Sequence, residues 1–251
     1  MQKAPSFLIV GAPKCGTTSV HKYLTQNPSL FLPHVKETWF FCGHNNPNQA
    51  IYELHPYLPR TWPEYLDLFQ DATEEQVCGE VTPSYMFYHE LVIKNIYQFH
   101  PSPEELKIIF ILREPISKVI SHYKYVVKNN LDPEALTLWE SLKQEKVRAN
   151  NTQLIYDVLY QQNTRYYEAV SAFKKSFRTV KIFLYEDLQE DPKKLLNDIC
   201  DFVGAGKYLW NTDKVHNRGR TKKVPKSAMA SQALKLGRRF KSFVPVGLRK
   251  S

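Results

Sequence analysis

The sequence predicts an α/β fold, with a central parallel sheet flanked by helices in one domain spanning residues 1–251. Short apolar runs rich in Ile, Val and Phe recur along the chain: FLIV near the start, KIIFIL at 107–112 and VKIFLY at 180–185. Runs of this kind suit strands covered on both faces of a parallel sheet. Helical patterns fill the intervals, and strands alternating with helices build crossover connections. A chain of 251 residues, 43% hydrophobic and 24% charged, also has material for a substantial core and is too apolar for disorder.

Taken in order, FLIV, a glycine-containing turn and TTSVHKYL read as strand, loop and helix. LFLP is a candidate second strand. The stretch HNNPNQAIYELHPYLPRTWPEY is loop-rich, and its prolines and histidines border a site rather than divide domains. KIIFIL follows as a strand, then helical patterns in SKVISHYKYVVK, PEALTLWESLKQEKV and TRYYEAVSAFKKSF. VKIFLY is the later strand, ending in YEDL. DPKKLLNDICDFVG is a helix opened by Asp-Pro and stopped at Gly204. No repeat or interdomain linker interrupts this order.

Cys15, Cys42, Cys78 and Cys200 are scattered with no C-x-x-C pair, which argues against a zinc site or a disulfide framework. No apolar run approaches the roughly 20 residues of a transmembrane helix. MQKAPS leads directly into the first strand and leaves no room for a signal peptide, so the expectation is a cytoplasmic protein. The formal charge is +9, but twelve of the 34 Lys/Arg and none of the 25 Asp/Glu follow Asp213. The remainder therefore holds 22 bases against 25 acids. The excess is a basic C-terminal segment from about 214, suited to a phosphate, an anionic acceptor or a membrane surface, or simply solvated. A nucleic-acid-binding fold is not expected.

The loop after FLIV carries the chemistry. Gly11 and Gly16 have the spacing of a Walker A loop, G-x-x-x-x-G-K-[ST], but Thr17 stands where its lysine belongs and Lys14 lies inside the loop. Backbone N–H groups at Gly16 and Thr17, at a helix N-terminus, suit an anion. Thr17, Thr18 and Ser19 add hydroxyls, Pro13 stiffens the turn, and Lys14 brings a mobile charge to a departing group. A second constellation is LREPISKVISHY: Arg113 at a strand end, and Ser121 eight residues on, able to face back toward it. A guanidinium and a hydroxyl converging on one point suit a phosphate monoester.

GAPKCGTTS resembles the 5′-phosphosulfate loop of sulfotransferases, and LREPISKVISHY resembles their 3′-phosphate motif. The resemblance implies a P-loop-like fold and a donor, 3′-phosphoadenosine 5′-phosphosulfate (PAPS), whose sulfuryl group passes to a hydroxyl or amine, leaving 3′,5′-phosphoadenosine (PAP). It implies donor binding by Lys14, Cys15, Gly16, Thr17, Thr18, Ser19, Arg113 and Ser121, with Lys14 at the bridging oxygen, and no metal. In the branch containing heparan sulfate and bacterial small-molecule enzymes, KE followed by aromatics carries the catalytic glutamate. VKETWFF thus makes Glu37 the implied general base, with Trp39, Phe40 and Phe41 expected to shield it from water. NRGRTKKVP resembles the late basic-glycine loop, implying 3′-phosphate contacts from Arg218, Gly219 and Arg220.

Departures from the glycosaminoglycan enzymes are Trp39 for a histidine, Cys42 for an aspartate, Val81 for a lysine and the absence of a partner near Cys200 for a C-terminal disulfide. They favour a small-molecule acceptor. The histidines show no H-x-x-x-H spacing. Tyr57, Trp62, Tyr65, Tyr85 and Tyr88 serve an aromatic acceptor pocket or the core. A P-loop kinase is disfavoured because no lysine follows Gly16 and no acidic Mg²⁺ ligand ends the later strands. A binding protein acting through the basic segment fits the acidic remainder least. The acceptor's identity and the oligomeric state are not written in the sequence.

Overall fold

The computed structural model describes residues 3–46, 52, 56–151 and 156–213. Five parallel strands form the sheet, β1 (Phe7–Gly11), β2 (Leu30–Phe31), β3 (Val77–Val81), β4 (Lys107–Leu112) and β5 (Thr179–Leu184), in the order β2-β3-β1-β4-β5. Helices flank it, as expected. β1 is central and every one of its residues is buried, which is why FLIV is apolar without alternation. Its register runs Phe7 to Gly79 on β3 and Phe7 to Lys107 on β4.

Two strands depart from the sequence reading. β3, VCGEV, is not an apolar run, because its composition answers to neighbours. A Cβ on Gly79 would lie 2.0 Å from Cζ of Phe7, and Glu80 is buried among hydroxyl side chains. β5 is the edge strand rather than a strand covered on both faces: Phe183 is buried, whereas Ile182 and Leu184 are exposed. YEDL does not end this strand; it opens the helix Tyr185–Glu190.

The chain divides into two compact units, Met1–Lys118 with Arg165–Gly219 and Val119–Thr164 with Arg220–Ser251. The first holds the whole sheet with α1 (Thr17–Leu24), α2 (Phe40–Gly43), α3 (Trp62–Asp67), α4 (His89–Phe99), the first turn of α5 (Pro115–Asn129), α7 (Tyr166–Ser176), α8 (Tyr185–Glu190) and α9 (Pro192–Val203). α1 touches α9 and α4 touches α7. α9 starts and stops where expected: Asp191 caps the Lys194 N–H at 3.0 Å, and Gly204 ends the helix in the left-handed region at φ 87°. α3 rises from the stretch read as loop, through a capping box between Thr61 and Glu64.

The second unit contains the rest of α5 and α6 (Leu138–Arg148). A capping box between Thr137 and Glu140 starts α6, so residues 133–137 of the predicted helix lie outside it. The interior of this unit sets buried polar groups among apolar residues such as Val126, Val158 and Tyr160. Arg148 bonds Asp132 at 2.6 Å, and the Glu145 carboxylate accepts the N–H groups of Gln161 and Gln162 at 2.8 and 2.7 Å. His122 pairs with Asp157 at 2.9 Å.

Candidate active site

In open α/β sheets ligands bind beyond the carboxyl ends of the strands, and the loop after β1 lies there. The Ala12 N–H donates to Ile111 O at 2.8 Å, tying the loop to β4, and the Ser19 and Val20 N–H groups close α1 onto Gly16 O at 2.9 and 3.0 Å. Gly16 is left-handed at φ 81°, and a Cβ there would sit 2.6 Å from Leu188 Cδ2. Only glycine meets both conditions. A Cβ on Gly11 would lie 2.8 Å from that of Met86. Lys14 is also left-handed, at φ 66°. Cys15 turns inward: its N–H bonds Ala12 O at 3.3 Å and its thiol donates to Pro13 O at 3.5 Å. Burial pushes that thiol up to about 11 despite the nearby Lys118 and Arg113, which keeps it protonated.

Arg113 directly follows β4 and reaches this loop, donating from Nη1 to Lys14 O at 3.4 Å. Its guanidinium lies over the Tyr185 ring, 4.5 Å from the centroid, and its carbonyl accepts from the Tyr166 hydroxyl at 2.8 Å. YEDL, placed at the end of the later strand by the sequence reading, therefore supplies both a platform for Arg113 and the Leu188 contact on Gly16.

The two neighbouring helix N-termini differ. On α5, Glu114 accepts from Ile116 N and Ser117 N at 2.8 and 2.7 Å, bonds that hold its carboxyl below the ordinary value. α1 has no acidic residue in its first turn and no side-chain cap, and Thr17, Thr18 and Ser19 open it. Hydroxyl side chains at an uncapped helix N-terminus suit an anion. Ser121 stands on α5 within the second unit. Arg218, Gly219 and Arg220 lie outside the described residues.

Glu37 belongs to a turn at the end of β3, next to β1. Its N–H donates to Val81 O at 3.1 Å, and Val81 pairs with Ile9. Its carboxylate pairs with Lys36 and remains 35% exposed, so water reaches it. The expected aromatic shield is not built by Phe40 and Phe41, which are fully buried in a cluster with Tyr65, Trp62 and Phe99. Phe40 stacks on Tyr65 at 4.6 Å. Glu37 and Trp39 are both left-handed, at φ 64° and 58°, a conformation costly for residues with side chains. His21 on α1 holds the chain leading into this turn, its Nε2 donating to Pro33 O at 3.2 Å. Burial, reinforced by Lys36, lowers its pKa to about 4, so it is neutral at neutral pH.

Beneath this turn lies a buried carboxylate that the sequence reading does not single out. Glu80 is 1% exposed and accepts hydrogen bonds from the hydroxyls of Thr38, Thr82, Tyr85 and Tyr65. Tyr65 and Tyr85, candidates for an acceptor pocket, are thereby placed in the core, while Tyr57 is exposed. A readable signal exists: an acidic residue inside a strand, followed two and five positions on by hydroxyl side chains.

The four cysteines are buried free thiols. Among the described residues no group of three or more His, Cys, Asp or Glu is placed to hold a metal ion, and no helix is long and apolar enough to cross a membrane.

The fold has known counterparts. A crystal structure of a sulfotransferase from Alicyclobacillus acidocaldarius superposes with a TM-score of 0.74 and 27% identity, over 86% of this chain and 87% of that one. Mouse carbohydrate sulfotransferase 15 is 28% identical over 181 residues, covering 55% of this chain and 31% of that protein. Human heparan sulfate glucosamine 3-O-sulfotransferase 5 is 27% identical over 128 residues, 51% of this chain and 32% of that protein. The chain thus spans about a third of the length of these curated relatives. The sulfotransferase domain family matches residues 4–223, a span containing the loop after β1, the Glu37 turn and Arg113, and the chain belongs to that family.

Proposed function

We propose that this chain transfers the sulfuryl group of PAPS to a hydroxyl or amine of a small-molecule or glycan acceptor. The observation that carries the reading is the junction of Arg113 with the β1 loop: a guanidinium seated on Tyr185 and bonded to the Lys14 carbonyl. The junction supports that reading by joining the loop proposed for the 5′-phosphosulfate to the residue proposed for the 3′-phosphate, on the adjacent strand end. The glycan option draws support from the carbohydrate and heparan sulfate relatives.

When bound, PAPS supplies a sulfuryl group attached through a bridging oxygen to its 5′-phosphate. Glu37 takes the acceptor's proton as the new sulfur–oxygen or sulfur–nitrogen bond forms. The Lys14 ammonium stabilises the charge left on the bridging oxygen as the old bond breaks. The α1 N-terminus with Thr17, Thr18 and Ser19 holds the 5′ end, and Cys15 and Gly16 shape that loop. Arg113 contacts the 3′-phosphate, the role that the sequence resemblance also assigns to Ser121, Arg218, Gly219 and Arg220. Positioning and charge complementarity supply the catalysis, as in phosphoryl transfer.

Calorimetric titration with PAP, AMP and ATP plus Mg²⁺ tests the donor. PAP should bind far more tightly than AMP, and Arg113→Ala should erase that preference, a loss of about 1.5–3 kcal/mol for a charged hydrogen-bonding group. Discrimination retained in the variant would remove Arg113 from the 3′ site. A preference for ATP with magnesium would replace this reading with a kinase.

A further inference from the structure

The turn that carries Glu37 is held through one buried carboxylate. The Thr38 N–H donates to Thr82 Oγ1 at 3.1 Å, the Phe40 N–H to Thr38 Oγ1 at 3.4 Å and the Phe41 N–H to the Tyr85 hydroxyl at 3.3 Å. Each of these hydroxyls gives its own proton to Glu80 Oε1, from 2.6 Å for Thr38 and 2.8 Å for Tyr85, while Tyr65 bonds Oε2. A hydroxyl has one proton and two lone pairs. With the proton directed at Glu80, its lone pairs are left for the N–H groups of the turn. An ionised carboxylate only accepts, so Glu80 sets the direction of all these bonds. Burying a carboxylate is costly, and the hydroxyls offset that cost.

The object held in this way is strained. Glu37 and Trp39 are left-handed without being glycine, and such conformations persist where the surroundings over-determine them. The relay from the turn's amides through three hydroxyls to Glu80, joined by the bond from Glu37 N to Val81 O, is that over-determination.

We propose that Glu80 is a positioning residue for Glu37, orienting the hydroxyls of Thr38, Thr82 and Tyr85 so that they lock the left-handed turn and aim the Glu37 carboxylate, an inference that rests on the reading of Glu37 as the base. Glu80→Gln keeps the shape but introduces an N–H donor, so at least one hydroxyl must reverse. In amide hydrogen exchange on the full chain, Thr38, Phe40 and Phe41 should exchange about three- to tenfold faster in this variant, the scale of one net hydrogen bond. Amides of β1 and β4, and affinity for PAP, should not change. Tyr85→Phe removes a single hydroxyl and should accelerate Phe41 alone. Unchanged exchange at the three turn amides, or equal acceleration throughout the sheet, overturns the proposal.

A double-mutant cycle reads the same coupling in turnover, with PAPS as donor and water as acceptor. Glu80→Gln should slow PAP release about tenfold or more, the effect of a misplaced group, but add nothing in the Glu37→Gln background. Full additivity overturns the proposal. If Glu37→Gln alone leaves the rate unchanged, the base reading fails, and exchange at the turn still decides whether Glu80 holds it.

Discussion

The β1 loop and the Glu37 turn lie at the carboxyl ends of neighbouring strands, and each contains a pair of left-handed residues. In the loop these are Lys14 and Gly16, at φ 66° and 81°; in the turn they are Glu37 and Trp39, at 64° and 58°. The loop is shaped largely by its own neighbours in sequence, Cys15 bonding back to Ala12 and Ser19 and Val20 to Gly16, with Ile111 O and Arg113 tying it to the end of β4. The turn is closed from a distance, by Val81, Thr82 and Tyr85 around Glu80. A locally closed turn is written in consecutive residues, whereas a tertiary one is written in two places that only the fold brings together.

Lys14→Ala should break the loop's chemistry without breaking the loop. Removing a group that stabilises developing charge costs about 10²–10³ in rate, and PAP affinity should fall much less; equal losses would make Lys14 a binding residue only. Gly16→Ala should break the loop itself. The left-handed backbone costs roughly 1–2 kcal/mol for alanine, and the Cβ would press on Leu188 from 2.6 Å. With overpacking of about 1–3 kcal/mol added, the denaturant midpoint should drop sharply and PAP binding should disappear. A stable variant that binds PAP would show that the loop tolerates what its geometry forbids.

His21 links the two regions, rising from α1 and bonding Pro33 O. Its pKa is about 4 in the fold against 6.5 ordinarily, through burial and then Lys36. The unfolded chain therefore takes up the proton first, and His21's contribution to stability, complete above about 6.5, is lost as pH falls toward 4. His100, lowered by burial, acts in the same sense; Glu80, raised by burial, acts in the opposite one. Urea melts at pH 7 and pH 5 should show a larger fall for the wild type than for His21→Gln, whose amide can still donate to Pro33 O. Equal falls would mean that the native protein already protonates His21.

The same contrast explains how much of the fold and the site could be read. β1, β4, α1 and α9 announce themselves because periodicity, Asp191 and Gly204 are local signals. Lys14 and Arg113 follow from strand ends, and the structure joins them. β3 was illegible because Gly79 makes room for Phe7 and Glu80 answers to four hydroxyls, so neither fits an apolar strand pattern. Phe40 and Phe41 do not shield Glu37 for a related reason: after a left-handed Trp39 they enter α2 and the core. Adjacency to Glu37 in sequence did not set the direction of their rings.

Glu37→Gly gives the smallest effect on stability and the sharpest contrast with Gly16→Ala. Glycine relieves a left-handed conformation worth roughly 1–2 kcal/mol, but orders a freer unfolded chain at about 0.5–1 kcal/mol. Loss of the half-exposed pair with Lys36 costs at most about 1 kcal/mol. These terms nearly cancel, so the variant should melt within about 1 kcal/mol of the wild type while its sulfuryl transfer collapses. Gly16→Ala would lose fold and ligand together; Glu37→Gly would lose chemistry alone. That outcome would mean that the second turn carries its strain for the sake of the side chain at 37, with Glu80 holding it in place. A loss of stability well above 2 kcal/mol would instead make Glu37 a structural residue and withdraw it as the base.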